Sequence, residues 1–257
     1  MLDFNKFHEC IVDNNYASQF YEYNGKIYYC RKSIIYYELI ISSIAKYLGA
    51  ECVEYLAVKK DTDLYLASEN FMRDGEVFLD GYELLENYKE KHNLVDSNLI
   101  PGEKLNNLND ISIIFNENFS CNSSQLLQKL NEIFAFDIIF GYCDRQSPNW
   151  GVLQSPDNIR LAPMYDGKWS FSSLPPLLLI TEDDRGKHIE TIIEHFLNTA
   201  NLSAIKTFMN YYEGFNVADL QSMVLSISSN NNIDFNINKI CTNFIKRREV
   251  ITKILTK

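Results

Sequence analysis

The sequence predicts an α+β fold of two lobes, a small β-rich N-terminal lobe and a mainly helical C-terminal lobe. The first seventy or so residues hold aromatic and β-branched runs around tight turns, whereas most of the sequence after residue 81 has helical periodicity. At 257 residues, the chain is near the size at which one hydrophobic core gives way to two. We place the N-terminal lobe at residues 1–75 and the C-terminal lobe at residues 76–257.

The N-terminal lobe begins with a predicted hairpin, QFYEYNGKIYYCRK, because Asn-Gly between aromatic and β-branched residues favours a two-residue turn. The segment YYELIISSIAKYLG follows at residues 36–49, with apolar residues at helical spacing and a final glycine that can end a helix. Residues 53–60 and 63–71 then alternate as a second antiparallel pair. These patterns predict a small sheet with one helix.

The C-terminal lobe is predicted to be helical over residues 81–131, with polar connections. Its clearest helix is SSQLLQKLNEIFAFDIIFGY, for which Ser123 or Ser124 is the candidate N-cap. A hairpin follows, with WGVL and IRLAP on either side of a turn at residues 155–158. Helical periodicity returns from Asp184 onward.

Composition excludes several classes of function. The net charge of −10 repels phosphate backbones and anionic lipids, so we expect no direct nucleic-acid binding and no membrane association. The six cysteines include no CxxC pair, and no zinc-ligand spacing is present. The N-terminus lacks the basic and apolar regions of a signal peptide. We therefore expect a cytoplasmic protein with reduced cysteines.

Three residues in two neighbouring segments carry the chemistry. Asp144 and Asn149 lie five residues apart after the long apolar helix, and Asp166 ends a short apolar strand. Phosphoryl transfer from a metal-bound nucleotide needs a carboxylate for the attacking hydroxyl, and an amide oxygen and a second carboxylate for Mg²⁺. Asp and Asn are also common turn formers, but the predicted hairpin brings Asn149 and Asp166 to the same edge.

The segments FDIIFGYCDRQSPNWGVL and IRLAPMYDGKWSF resemble the HipA family of serine/threonine kinases, which has Asp-Arg-His-x-x-Asn-aromatic-Gly followed by Leu-x-Pro-x-[YF]-Asp. The resemblance implies a two-lobed protein-kinase-like fold that uses ATP and Mg²⁺. It assigns Asp144 as the catalytic residue and Asn149 and Asp166 as magnesium ligands. The sequence departs from the family at Gln146, where His is common, and this departure raises a question about the level of activity. Asp137, inside the helix, is expected to have a structural role.

The N-terminal lobe carries a looser resemblance. YYELIISSIAKYLG resembles the family helix that places a glutamate opposite the nucleotide-binding lysine, and this implies Glu38. We choose Lys32, at the end of the preceding strand, as the cation that contacts the phosphates. Arg31 and Lys26 remain alternatives, because neighbouring residues of a strand face opposite sides of the sheet.

The segment LASENFMRDG resembles the strand and connection between the lobes of this family, which implies that backbone groups from Glu69 to Phe71 contact adenine. The glycine-rich loop GxGxxG is absent from the sequence, so residues 12–18 are the candidate segment that covers the phosphates. Ser18 lies in that segment and is the candidate for autophosphorylation.

The resemblance implies a serine/threonine protein kinase with a protein hydroxyl as acceptor. Such a protein acts as the toxin of a toxin–antitoxin module or as a secreted effector, and the implied partner is an antitoxin or a separate HipA N-subdomain-like protein. Nucleotidylation and phosphorylation of a small molecule remain open, because they use the same residues. A pseudokinase binding module is another alternative, although such modules typically lose one of these three residues. An all-helical interaction domain is disfavoured by the strand-rich N-terminus.

Overall fold

The computed structural model describes residues 2–9, 20–32, 36–93, 108–172 and 189–257. The predictions for residues 12–18, including Ser18, lie outside these ranges. The described strands are β1 (Leu2–Asp3), β2 (His8–Glu9), β3 (Phe20–Tyr23), β4 (Lys26–Lys32), β5 (Tyr55–Lys60), β6 (Asp63–Glu69), β7 (Val77–Asp80), β8 (Gly151–Gln154) and β9 (Ile159–Leu161). The described α-helices are α1 (Tyr37–Leu48), α2 (Gly81–Lys91), α3 (Leu108–Asn118), α4 (Ser123–Phe140), α5 (Ile189–Thr199), α6 (Leu202–Gly214), α7 (Val217–Asn231) and α8 (Ile237–Leu255).

The N-terminal lobe is a six-stranded sheet in the order β1-β5-β6-β4-β3-β2, with α1 beside it. The predicted hairpin is confirmed as β3 and β4, and its turn residues Asn24 and Gly25 have φ of 52° and 72°, as the Asn-Gly sequence favours. The second predicted pair is confirmed as β5 and β6. Strands β1 and β2 were not predicted, because each has two residues and too little sequence to show alternation.

The two faces of this sheet have different environments. Tyr28 and Cys30 of β4 point into a small core that the N-terminal segment forms with Phe4 and Phe7. Residues of the opposite face of the sheet, including Ala57, pack with α1 in the main core. The sheet is therefore covered on both sides, and residues of β4 with odd numbers lie on the same side as α1.

The C-terminal lobe is built around α4, whose last two turns are almost entirely buried. Helix α4 begins at Ser123 with Asn122 as its N-cap, so the expectation that Ser123 or Ser124 caps it is wrong. The predicted hairpin is confirmed as β8 and β9, and β7 adds a third strand in the order β7-β8-β9. Strand β7 was not predicted, because VFLD is short and has no alternating pattern. Among the described helices, none is both long and apolar enough to cross a membrane.

A crossing segment, residues 70–76, joins β6 to β7 and is bound to both lobes. The Asn70 N–H donates to the carbonyl of Ile27 at 2.8 Å in the N-terminal sheet. The Arg160 guanidinium, on β9, donates to the Phe71 carbonyl at 3.0 Å and twice to the Glu76 carboxylate at 2.8 Å. The two-lobed α+β architecture is thus confirmed. Residues 75 and 76, between which we place the lobe boundary, both lie in this segment.

Candidate active site

A cleft of about 830 Å³ lies between the two lobes. The N-terminal sheet contributes residues from β3, β4, β5 and β6, and the C-terminal lobe contributes β7 and the loops on either side of the β8–β9 hairpin. Of the predicted residues, Asn149 and Asp166 line this cleft, as do Glu69 and Phe71. Asp144 is tied to Asn149 by a hydrogen bond. Asn149 and Asp166 thus meet in the cleft, whereas Asp144 does not line it and lies beside Asn149.

The loop that holds Asp144 and Asn149 starts where α4 ends. Gly141 ends the helix with φ of 67°, and a Cβ atom at this position would lie 2.7 Å from the Ser172 carbonyl oxygen. Both the backbone conformation and the close approach therefore require glycine. The loop then closes with a short 3₁₀ helix at Ser147–Asn149, just before β8.

Arg145 holds this loop together from the inside. Its buried guanidinium donates two hydrogen bonds to the Asp137 carboxylate of α4, at 2.9 and 3.0 Å. It also donates to the backbone carbonyls of Asn149, at 2.7 Å, and Tyr165, at 3.1 Å. One side chain thus fixes the positions of Asn149 and of the residue before Asp166 relative to α4.

The buried Asp137–Arg145 pair is consistent with the structural role predicted for Asp137. Burial raises the pKa of Asp137, and the charge and hydrogen bonds of Arg145 oppose that rise. Burial by itself lowers the pKa of Arg145, but the nearby Asp137 carboxylate raises it by more than burial lowers it. The pKa is therefore above its ordinary value, and the guanidinium stays charged.

The carboxylate of Asp144 is oriented by its neighbour. The Gln146 side-chain amide donates to Asp144 Oδ1, so Gln146 supplies an N–H to this carboxylate. The Asp144 backbone carbonyl accepts from the Tyr142 hydroxyl at 2.9 Å and from the Asn149 amide. These contacts fix both the backbone and the side chain of Asp144.

Asn149 and Asp166 present oxygen atoms to the cleft. The Asn149 amide nitrogen donates to Asp144 and to the Tyr142 hydroxyl, which leaves the amide oxygen as the atom for a cation. Asp166 has φ of 57° and ψ of 40°, a left-handed conformation that Asp tolerates. Its backbone N–H donates to the Tyr55 hydroxyl at 2.9 Å, which ties the residue to the N-terminal sheet.

Arg31 connects the two lobes at the floor of the cleft. One of its terminal nitrogens donates to Glu38 Oε1 and, at 3.1 Å, to Asp166 Oδ1. Glu38 is fully buried on α1, and burial raises the pKa of its carboxyl group while Arg31 opposes that rise. The glutamate expected on α1 therefore does pair with a cation of β4.

The cation in that pair is Arg31, so the expectation that Lys32 pairs with Glu38 is wrong. Lys32 lies on the other face of β4, where its ammonium contacts Asp63 at 2.6 Å and its side chain is 58% exposed. Lys26, the other alternative, forms an exposed pair with Glu69 at 2.7 Å. The reason is strand alternation, which places odd-numbered residues of β4 on the side of α1.

Aromatic side chains form the wall of the cleft near the crossing segment. Phe71 stacks on Tyr165 with ring centroids 5.9 Å apart, and Phe78 meets both rings edge-on. Flat aromatic surfaces of this kind suit a purine base. Of the backbone groups predicted to contact adenine, the Asn70 N–H and the Phe71 carbonyl are already bound within the protein.

Sequence reasoning missed the contributions of Arg145, Tyr55 and Lys168. The Lys168 ammonium donates to Asp166 Oδ2 at 2.9 Å, and both Lys168 and Tyr55 line the cleft. Two signals in the sequence were available: Arg145 follows Asp144 directly, and Lys168 lies two residues after Asp166. The partnership of Tyr55 with Asp166 spans 111 residues and leaves no local signal.

Comparison with solved structures identifies similar folds. The crystal structure of the Helicobacter pylori proinflammatory kinase CtkA aligns with a TM-score of 0.73 at 17% identity, covering 99% of this chain and 97% of that one. The chain has a kinase-like fold. A chain of the Shewanella oneidensis toxin–antitoxin complex of HipA, HipB and operator DNA aligns with a TM-score of 0.60 at 14% identity, covering 90% of this chain and 60% of that one.

The predicted HipA-like, two-lobed kinase fold is thus confirmed. No protein-family model and no curated protein matched the sequence. At these identities the similarity lies in the fold, and the functional argument depends on the residues of the cleft.

Proposed function

We propose that the protein is an ATP- and Mg²⁺-dependent serine/threonine protein kinase of the HipA type. One observation carries this proposal: Asn149, Asp166 and the Arg31–Glu38 pair meet at one interlobe cleft. Asp144 is joined to Asn149 by a hydrogen bond. Sets of this kind position a nucleotide, a metal ion and an acceptor hydroxyl for phosphoryl transfer.

The donor atoms of the cleft fit magnesium. Mg²⁺ prefers oxygen ligands and is usually held by one or two protein groups together with substrate phosphates and water. The amide oxygen of Asn149 and the carboxylate of Asp166 are such groups, and both line the cleft. When bound, ATP supplies the phosphoryl group, and Mg²⁺ neutralises part of its charge.

The residues of the chain then have separate roles. Gln146 holds one carboxylate oxygen of Asp144, so that the other can accept the proton of the acceptor hydroxyl. Arg31, positioned by Glu38, provides a fixed positive charge for the phosphates. Arg145 positions Asn149 and Asp166 through the backbone carbonyls of Asn149 and Tyr165, and it is itself buried away from the substrate.

Asp166→Ala tests the metal site. We expect wild type to bind ATP in the presence of Mg²⁺, and the variant to bind it about 10–100-fold more weakly, because a charged ligand is lost. Isothermal titration calorimetry with and without Mg²⁺ measures this difference. Asp63→Ala, which removes an exposed carboxylate from a lysine pair, is the matched control and should bind like wild type. No binding by wild type, or undiminished Mg²⁺-dependent binding by Asp166→Ala, refutes the assignment.

Arg31→Met and Lys32→Met distinguish the two cations of β4. The arginine variant should bind ATP with Mg²⁺ about 10–100-fold more weakly, because the cleft loses a charge-assisted hydrogen bond to phosphate. The lysine variant should bind normally, since its ammonium lies on the outer face beside Asp63. The same titration measures both. A larger loss for Lys32→Met than for Arg31→Met would show that Lys32 is the cation that contacts the phosphates.

A partner protein of the antitoxin type belongs to the same proposal. The similar HipA structure was solved as a complex with HipB and operator DNA. The similar kinase CtkA is described as proinflammatory, and an effector role remains the other alternative for this chain. Copurification with the product of an adjacent gene supports the toxin role. Absence of such a product and secretion of the protein support the effector role.

A further inference from the structure

The two cationic side chains among the described residues that line the cleft are Arg31 and Lys168, and both contact Asp166. Arg31 donates to Oδ1 at 3.1 Å and Lys168 donates to Oδ2 at 2.9 Å, so each oxygen of this carboxylate has a cation beside it. An Mg²⁺ ligand oxygen lies about 2.0–2.1 Å from the ion. An ammonium group on the same oxygen repels the dication, so metal binding to Asp166 requires one of the two cations to move.

The cation that can move is Lys168. Arg31 is also held by the fully buried carboxylate of Glu38, and its guanidinium is confined to the floor of the cleft. Lys168 has a flexible four-carbon stem, and its side chain is 31% exposed. Its backbone, in contrast, is fixed by the short 3₁₀ helix Gly167–Trp169, where a Cβ atom at Gly167 would lie 3.1 Å from Ile41 of α1. The ammonium can therefore change its partner while the main chain stays in place.

We propose that Lys168 is a switching residue that neutralises Asp166 until nucleotide and metal arrive and then moves its ammonium to the terminal phosphate. This inference rests on the proposed kinase function, since it deepens the role of the same site. With the ammonium gone, Asp166 would hold the metal, and a phosphate in the cleft would offer Lys168 a new anionic partner. Each ligand thereby removes an obstacle to the other, so metal and nucleotide bind with positive coupling.

The test compares Lys168→Met, which keeps most of the stem but removes the charge, with wild type. Mn²⁺ serves as the metal probe, and free Mn²⁺ is measured by electron paramagnetic resonance with and without ATP. Without nucleotide, Lys168→Met should bind Mn²⁺ about tenfold more tightly than wild type, because the competing ammonium is gone. The factor by which ATP increases Mn²⁺ affinity should fall by about tenfold in the same variant. Lys168→Arg, which keeps the charge, should retain most of this coupling.

Lys46→Met is the matched control, because it removes a lysine from an exposed pair with Glu54 on the outer surface. It should match wild type in both measurements. Equal or weaker Mn²⁺ binding by Lys168→Met overturns the proposal, as does the absence of Mn²⁺ binding in both proteins. If Lys168→Met binds Mn²⁺ more tightly but ATP increases its Mn²⁺ affinity as much as in wild type, the proposed movement of the Lys168 ammonium to the phosphate is wrong. If wild type shows the coupling but transfers no phosphate to protein, the kinase function fails and the exchange at Lys168 stands.

Discussion

Replacing Asp144 by Asn is expected to slow phosphoryl transfer by about 10²–10⁴-fold, the range typical for loss of a general base. The substitution keeps the shape of the side chain but removes the charge that accepts the proton of the acceptor hydroxyl. The affinity for ATP should change little, because Asn149, Asp166 and Arg31 are untouched. Transfer of radiolabelled phosphate to a generic protein acceptor, or to the protein itself, measures the rate.

Asp157→Asn is the matched control for this experiment, because the same chemical change is made on the exposed turn between β8 and β9. It should transfer phosphate at the wild-type rate. Equal rates in wild type and Asp144→Asn would mean that Asp144 is a turn residue, and the proposed mechanism would be wrong. Label found only in a small molecule, or as nucleoside monophosphate on protein, would mean that the same fold catalyses phosphorylation of a small molecule or nucleotidylation in place of protein phosphorylation.

Arg145→Met is expected to have the largest effect on stability. It leaves the Asp137 carboxylate buried without its cation, and breaking a buried pair from one side costs about 3–5 kcal/mol. The carbonyls of Asn149 and Tyr165 lose a donor as well, so the geometry of the site is lost together with the stability. Unfolding in urea, followed by circular dichroism, measures the change in the free energy of unfolding.

The exposed pair of Lys46 and Glu54 provides the comparison, since Lys46→Met should cost at most about 1 kcal/mol. Combining Arg145→Met with Asp137→Leu removes the buried charge and should restore part of the stability. Activity should stay low in this double variant, because the two carbonyls are still not held. A cost for Arg145→Met no greater than that for Lys46→Met would show that the loop does not depend on the guanidinium.

The elements with strong local signals were predictable from the sequence. The Asn-Gly turn fixed the β3–β4 hairpin, and the apolar residues at helical spacing before Gly49 fixed α1. The candidate site from Asp144 to Asp166 was predictable because its residues lie within 23 positions of the chain and an intervening hairpin folds them back. In these cases sequence neighbours decide the structure, so no knowledge of the tertiary packing is needed.

Features that depend on distant partners were not predictable. One face of β4 packs against the N-terminal segment, whereas the other lines the open cleft, where Tyr29 is 41% exposed. Aromatic residues stand on both faces, as Tyr28 and Tyr29 do, so the sequence alone does not identify the inner face. The choice between Arg31 and Lys32 depends on that face. In the same way, β7 depends on its pairing with β8, which begins 74 residues later in the chain. In this antiparallel pair, Val77 lies opposite Gln154 and Asp80 lies opposite Gly151.

The crossing segment has a consequence for movement. Asn70 is bonded to the N-terminal sheet through Ile27, whereas Phe71 and Glu76 are bonded to Arg160 of the C-terminal lobe. The hydrogen bonds from this segment to the two lobes therefore divide between Asn70 and Phe71, although the Asn70 side-chain oxygen also accepts from the Met72 N–H at 3.2 Å. Within the crossing segment, we therefore expect any rotation of one lobe against the other to act on the bond between these two residues. Because Phe71 stacks on Tyr165, the aromatic wall should turn with the C-terminal lobe, and such a rotation would change the distance between this wall and Arg31 on the N-terminal sheet.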